Sequence, residues 1–211
     1  MGKRCEKEMR KIVFDLDGTL ISFNTFKGWI LISFIVPFLS LNFKSFKYIS
    51  ELILLRASKK ISRTEFKELL LIYQSTDSCW NKIGALYASF LAFFFIRKKL
   101  LNEKKEKDTI CLATAAPDIY VLPLSKKIDD FDLVLSTYIS SDNKMVEIFG
   151  ELKKEFVINN FTNEPDLFFT DHYDDAPLAR ISKKTFFVKP SNDSKRKIAK
   201  DNSIINYVLL K

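Results

Sequence analysis

The sequence predicts an α/β fold, a parallel sheet covered by helices on both faces, with a block of helices inserted after the first strand. Three observations carry this. Short apolar runs rich in β-branched and aromatic residues recur at residues 12–14, 109–114, 131–137, 166–170 and 185–189, each the length of a buried strand. From residue 109 onward these runs alternate with helical stretches, as a parallel sheet requires. Residues 21–107 break that rhythm with helical patterns alone.

In chain order, the run at residues 12–14 is closed by Asp15, Asp17 and Gly18 within "FDLDGTL". Two carboxylates at the end of a buried strand repel each other and lose hydration, so an ordinary core would exclude them. In the insertion, "SRTEFKELLLIYQ" offers Ser62 and Glu65 as a capping box. Phe66, Leu69, Leu70 and Tyr73 then share one apolar helix face. Two further stretches are apolar all round, "GWILISFIVPFLSLNF" (28–43) and "IGALYASFLAFFFI" (83–96). Both fall short of the roughly 20 residues needed to span a bilayer, and Pro37 interrupts the first. They read as a buried helical pair, with a membrane-dipping surface as the alternative. The charged stretch "RKKLLNEKKEKD" returns the chain to the sheet, where helices are expected at residues 117–128, 151–158 and 177–181. The domain reading is therefore a core of residues 1–20 and 108–211, with a helical unit at 21–107.

Composition narrows the chemistry. At 211 residues the chain can bury a sizeable core, and 47% hydrophobic against 28% charged residues is a globular balance. A net charge of +8 favours anionic partners, whether phosphorylated small molecules or an acidic membrane surface. The basic runs at residues 3–11, 59–63, 97–107 and 195–200 read as solvated faces. No basic stripe interleaves with aromatics in a recognisable pattern, so nucleic acid is not expected as a partner. Cys5, Cys79 and Cys111 show no CxxC spacing and there is one His. A disulfide framework and a zinc site are thereby disfavoured, and a cytoplasmic setting is expected. The N-terminus lacks the apolar core of a signal peptide, and Glu6 stands where a myristoylation signal wants Ser or Thr.

Ligands of doubly wound sheets bind beyond the carboxyl ends of the strands. This chain places Asp15 and Asp17 there, then Thr114, then Asp171 with Asp174 and Asp175 just behind. Lys153 and Lys154 lie on the helix preceding Asp171. Carboxylates without histidines describe a hard, oxygen-liganded cation, and Mg²⁺ suits a site that keeps waters and substrate phosphate. A calcium loop does not fit, because acidic residues do not continue at alternate positions and no Glu closes a twelve-residue loop.

"DLDGTL", "CLATAAPDIY", "GELKK" and "FFTDHYDDAPL", in that order, resemble the four signatures of the haloacid dehalogenase superfamily. Within it the chain looks most like the phosphoserine phosphatase-like subgroup with a helical cap. The resemblance implies a Rossmann-like core, the 21–107 block as the cap, and a Mg²⁺-dependent phosphatase that works through an aspartyl-phosphate. It implies Asp15 as nucleophile and Asp17 as the acid and base. Thr114 and Ala115 would bind phosphate, with Lys153, or Lys154 one residue on, neutralising charge. The metal would be held by Asp15, the backbone carbonyl of Asp17 and Asp171, with Asp175 steadying the shell. Pro117 would open a helix whose N-terminus favours the same anion. Asn24 stands near the amino-reading glutamate of phosphoserine phosphatases. His172 and Asp174 replace the small and amide residues usual in the acidic loop, and His172 is placed to tune pH dependence.

Three functions compete on these grounds. The leading one is hydrolysis of a small or amphipathic phosphomonoester. A narrower version is a lipid phosphatase, since the apolar run after the first signature is similar in placement to cap segments of phosphatidylglycerophosphatases. Its expected setting is peripheral, at the inner face of the membrane. The third is a non-catalytic phosphate-binding module, which the intact Asp15, Asp17, Lys153 and Asp171 argue against. Residues 28–43 and 83–96 are expected to roof the site, with Phe34 and Phe38 selecting substrate.

Overall fold

The computed structural model describes residues 9–210. The readings on Cys5 and Glu6, and most of the basic run at 3–11, lie outside the described residues. Seven strands form one sheet: β1 (Lys11–Phe14), β2 (Thr109–Pro117), β3 (Leu133–Ile139), β4 (Met145–Val146), β5 (Leu167–Thr170), β6 (Thr185–Val188) and β7 (Tyr207–Leu210). Their order is β4-β3-β2-β1-β5-β6-β7, and every pairing is parallel except β3 with β4. The α/β expectation and its parallel sheet therefore hold.

Central β1 explains how both faces are built. Ile12, Val13 and Phe14 are all fully buried, because strands flank β1 on both sides and helices cover both faces. Alternation sends Ile12 and Phe14 to one core and Val13 to the other. Register puts Phe14 opposite Phe169 and Phe169 opposite Phe186. Their rings stack at 4.8 Å in both pairs, so an aromatic ladder pins three strands in register.

Between β1 and β2 run α1 (Thr25–Leu39), α2 (Phe43–Ala57), α3 (Arg63–Ser75), α4 (Cys79–Phe94) and the short α5 (Lys98–Leu101). After β2 come α6 (Asp118–Ile128), α7 (Gly150–Asn160), α8 (Ala176–Ile181) and α9 (Asn192–Lys200). The insertion is welded to the sheet rather than hung from it. Trp29 of α1, Tyr87 of α4 and Tyr120 of α6 pack ring to ring in one apolar cluster with Ile12 and Phe14. Gly84 permits this approach, since a Cβ there would stand 2.3 Å from the Ile119 carbonyl oxygen.

The capping box forms as the spacing predicts, with both Ser62 and Glu65 bonds present. Other expectations need correction. Residues 28–43 are not one helix: α1 carries Pro37 near its end and stops at Leu39, and α2 starts after a turn with Leu41 at φ 54. Nor are the apolar segments a buried pair. Phe38 is 60% exposed and Phe93 81%, and Leu31, Leu39, Leu86 and Phe94 are exposed as well. Each helix has only one face to bury, and uniform apolarity hides which one. The second strand runs on past Thr114 to Pro117 through an irregular register against β3, which lifts residues 114–116 out of the ladder.

Candidate active site

The site assembles at the carboxyl ends of β1, β2 and β5. The Asp15 N–H donates to the Phe169 carbonyl (2.9 Å), which fixes the carboxylate at the mouth of the sheet. Across from it, α7 starts at Gly150, whose φ of +56 suits glycine. Lys153, one turn on, reaches inward. Its Nζ lies 2.9 Å from Asp15 Oδ1 and 2.7 Å from Asp175 Oδ1, with all three residues buried. Lys154 points away and pairs with Glu151 at 2.6 Å. Of the two lysines, Lys153 is therefore the one in the site.

Charge is unbalanced there. Burial pushes the Asp15 carboxyl well above the usual range; Lys153 opposes this, while Asp175 and Asp171 add repulsion. Burial, with Asp175 and Asp17 adding repulsion, pushes Asp171 up to about 6. Burial also disfavours the Lys153 charge, yet its two carboxylate partners hold its pKa above the ordinary value. One ammonium thus faces Asp15, Asp171 and Asp175. Asp175 also accepts from Thr170 Oγ1 at 2.6 Å, so both of its oxygens have protein donors and it meets the site through Lys153.

The Asp-x-Asp-Gly turn closes directly on Asp171. Gly18 has φ +74, and a Cβ on it would stand 1.9 Å from Asp171 Oδ2. Only a glycine lets that carboxylate lie against the turn. Among the described residues no three His, Cys, Asp or Glu side chains could hold a metal by themselves. A divalent cation between Asp15 and Asp171 would also draw on backbone carbonyl, water or substrate oxygen, and that donor set fits Mg²⁺.

Asp17 faces the insertion. Its Oδ1 accepts from Thr25 N (3.0 Å) and Thr25 Oγ1 (2.7 Å). Thr25 is held in turn by Tyr120, whose hydroxyl lies 2.9 Å from Oγ1, and by Tyr87, which donates to the Thr25 carbonyl at 2.8 Å. Burial raises the Asp17 pKa, and the Thr25 hydrogen bonds oppose the rise.

Thr114 is buried, and its Oγ1 accepts from Ala116 N at 3.1 Å. Pro117 sits at the N-cap of α6. Asn24 caps α1 by accepting from Lys27 N at 3.1 Å. His172 Nδ1 accepts from Asp174 N at 3.2 Å and lies 3.1 Å from Asp174 Oδ2, so the imidazole caps the turn that carries Asp174.

These groups line one cavity of about 400 Å³, to which Asp15, Asp17, Thr114, Ala115, Lys153, Asp171 and Asp175 all contribute. The roof differs from expectation. Phe34 and Phe38 do not line it; both pack as tilted rings against Phe46 of α2. The insertion instead supplies Phe23, Phe26, Arg63 and Lys67. Sequence reasoning missed Lys67. The signal was present, since Lys67, Leu70, Leu71 and Gln74 form a buried stripe at i, i+3, i+4 and i+7, with a lysine where an apolar residue belongs.

The comparisons agree with this geometry. Residues 12–180 match the family model of haloacid dehalogenase-like hydrolases. The chain belongs to that family. Among solved structures, a protein of unknown function from Bordetella pertussis Tohama I is similar with a TM-score of 0.65 at 14% identity, covering 97% of this chain and 99% of that one. A phosphoserine phosphohydrolase-like protein from Francisella tularensis gives 0.53 at 16% identity, with 95% of each chain covered. A substrate-bound phosphoserine phosphatase gives 0.50 at 12% identity, covering 96% and 94%. At these identities the likeness is one of fold. No curated protein matches the chain at a significant level.

Proposed function

We propose that this protein is a Mg²⁺-dependent phosphomonoesterase that works through an aspartyl-phosphate on Asp15, with residues 21–107 as its cap. The observation that carries the reading is the buried Asp15–Lys153–Asp175 cluster beside Asp171 in one cavity. A bound Mg²⁺, held by Asp15, Asp171 and the Asp17 carbonyl, would offset the repulsion between an anionic nucleophile and an anionic substrate. Lys153 supports the same neutralisation and keeps the Asp15 oxygen aimed.

An Asp15 oxygen attacks phosphorus while the bond from phosphorus to the ester oxygen breaks. Asp17 gives its proton to that leaving oxygen, and the alcohol departs. Asp17, now a carboxylate, takes a proton from water. The resulting hydroxide attacks phosphorus, the bond to Asp15 breaks, and phosphate leaves with Asp17 protonated again. Thr25 steadies one Asp17 oxygen and leaves the other for proton transfer. Thr114, Ala115 and the start of α6 support binding of the phosphoryl oxygens. Hydrolysis of a phosphomonoester panel that requires Mg²⁺, is stopped by EDTA and is absent in Asp15→Asn supports the reading; turnover by purified Asp15→Asn contradicts it.

A second observation favours the lipid version. The exposed face of α1 carries Leu31, Ile35, Phe38 and Leu39, and that of α4 carries Leu86, Phe90, Phe93 and Phe94. Lys27, Lys82, Lys98 and Lys99 are exposed alongside. No helix among the described residues is long and apolar enough to cross a membrane. Peripheral binding to an anionic leaflet would suit both features, and the substrate would then be a lipid phosphate. Co-sedimentation with anionic vesicles, weakened by salt and by Phe93→Asp with Phe94→Asp, tests this. A protein that stays in the supernatant at low salt contradicts it and leaves a small phosphate ester as substrate.

A further inference from the structure

Lys67 is 2% exposed, on an insertion helix, and the reaction just described leaves it without a task. Its Nζ donates to the Ala115 carbonyl (2.7 Å), to Glu147 Oε1 (2.5 Å) and to Thr137 Oγ1 (3.4 Å). Thr137 Oγ1 also donates to the Ala115 carbonyl at 2.7 Å. That carbonyl and the Ala116 N–H belong to one peptide unit, and the N–H donates to Thr114 Oγ1. Thr114, 1% exposed and lining the cavity, accepts this bond, and among the described residues its own proton has no acceptor.

We infer that Lys67 is a positioning residue for phosphoryl transfer, acting through the 115–116 peptide to set the Thr114 hydroxyl as a donor into the cavity. Residues 114–116 leave the regular ladder, so strand pairing does not orient this peptide. Two donors on its carbonyl do so. A cation there also polarises the peptide, which strengthens its N–H and, through that bond, the Thr114 O–H. Glu147 favours the charged ammonium against burial, which lowers the Lys67 pKa. The phosphate donor is thereby completed only with α3 docked, which couples the insertion to the chemistry.

The inference rests on the phosphatase reading, and a double-mutant cycle with p-nitrophenyl phosphate separates the two. The variants are Lys67→Met, Thr114→Val and the pair, with circular dichroism as the fold control. Lys67→Met is expected to lower kcat about 10- to 100-fold with a smaller change in KM, and Lys67→Arg to recover part of it. In the Thr114→Val background, Lys67→Met should cost less than about 3-fold, because its route is already cut. If Lys67→Met does not fold, Thr137→Val, which removes the other donor, replaces it in the same cycle. Losses that multiply independently, or a change confined to KM, overturn the positioning role. A wild-type protein inactive with Mg²⁺ would instead overturn the phosphatase reading.

Discussion

Lys153 Nζ stands 2.9 Å from Asp15 Oδ1, joining a helix to a strand 138 residues earlier in the chain. The contact brings an ammonium to the atom expected to attack phosphorus, and it is the main charge compensation the protein itself provides. Lys153→Met should therefore lower kcat by about 100-fold or more. It should also destabilise the metal-free protein by about 3–5 kcal/mol. The sign of the pH dependence follows from the neighbours. Without Lys153, which opposes the rise, buried Asp15 and Asp171 have folded-state pKa values raised further, so the fold gains as pH falls and they take up protons. Urea unfolding without divalent cations should show a larger penalty at pH 8 than at pH 5. Equal penalties would mean that the carboxylates do not depend on Lys153.

Asp17 is separable from Asp15 by leaving group. Asp17→Asn should slow alkyl phosphates far more than p-nitrophenyl phosphate, whose leaving group needs little protonation. Thr25→Val should shift the same ratio in the same direction, because it removes the Thr25 Oγ1 bond and leaves only the backbone N–H to hold Asp17 Oδ1. Parallel losses on both substrates would remove Asp17 from the acid role.

Gly18→Ala probes the turn. The added Cβ would meet the Asp171 carboxylate, so that carboxylate must move. Weaker Mg²⁺ activation, with a melting temperature lowered by only a few degrees, is the expected result. Unchanged Mg²⁺ dependence would show that Asp171 does not depend on the closure of this turn.

At the opposite ends of the strands, Asp108 clamps β1 to β2. It accepts from the Arg10 guanidinium, at 3.1 Å from Nε, and from Lys105 N at 2.8 Å. Burial opposes its charge, but these bonds hold its carboxyl below the usual range. A depressed pKa gives stability above the unfolded value near 4 that is lost as pH falls through the folded value. Asp108→Asn should cost about 1–3 kcal/mol at pH 7, and the gap from wild type should close as pH falls through the folded value. A gap that persists in acid would assign the effect to packing.

The strands carrying the site were legible because apolar runs of strand length lead into aspartate or threonine at residues 12–17, 109–114 and 166–171. Asp15, Asp17, Thr114 and Asp171 follow directly. The choice between Lys153 and Lys154 was not legible, since one residue of helix register turns a side chain by about 100°. The roof was misplaced because α1 and α4 are apolar on every side, so periodicity cannot say which face turns inward. Lys67 was hidden by its type, as a buried lysine is read as surface until its partners, Glu147 and the Ala115 carbonyl, are brought to it from 80 and 48 residues away. Two-residue β4 and polar α9 lacked the apolar length that marks an element, whereas the four apolar residues of edge strand β7 carried the signal and were missed.

The covalent role of Asp15 is open to direct chemical capture. Wild-type protein would be mixed with Mg²⁺ and a phosphomonoester substrate, quenched in acid and reduced with borohydride, which converts an aspartyl-phosphate to homoserine. Mass spectrometry of the peptide containing residues 12–20 should find homoserine at position 15, dependent on substrate and absent in Asp15→Asn. An active protein that yields unmodified Asp15, or homoserine at another aspartate, would contradict the assignment of Asp15 as the nucleophile.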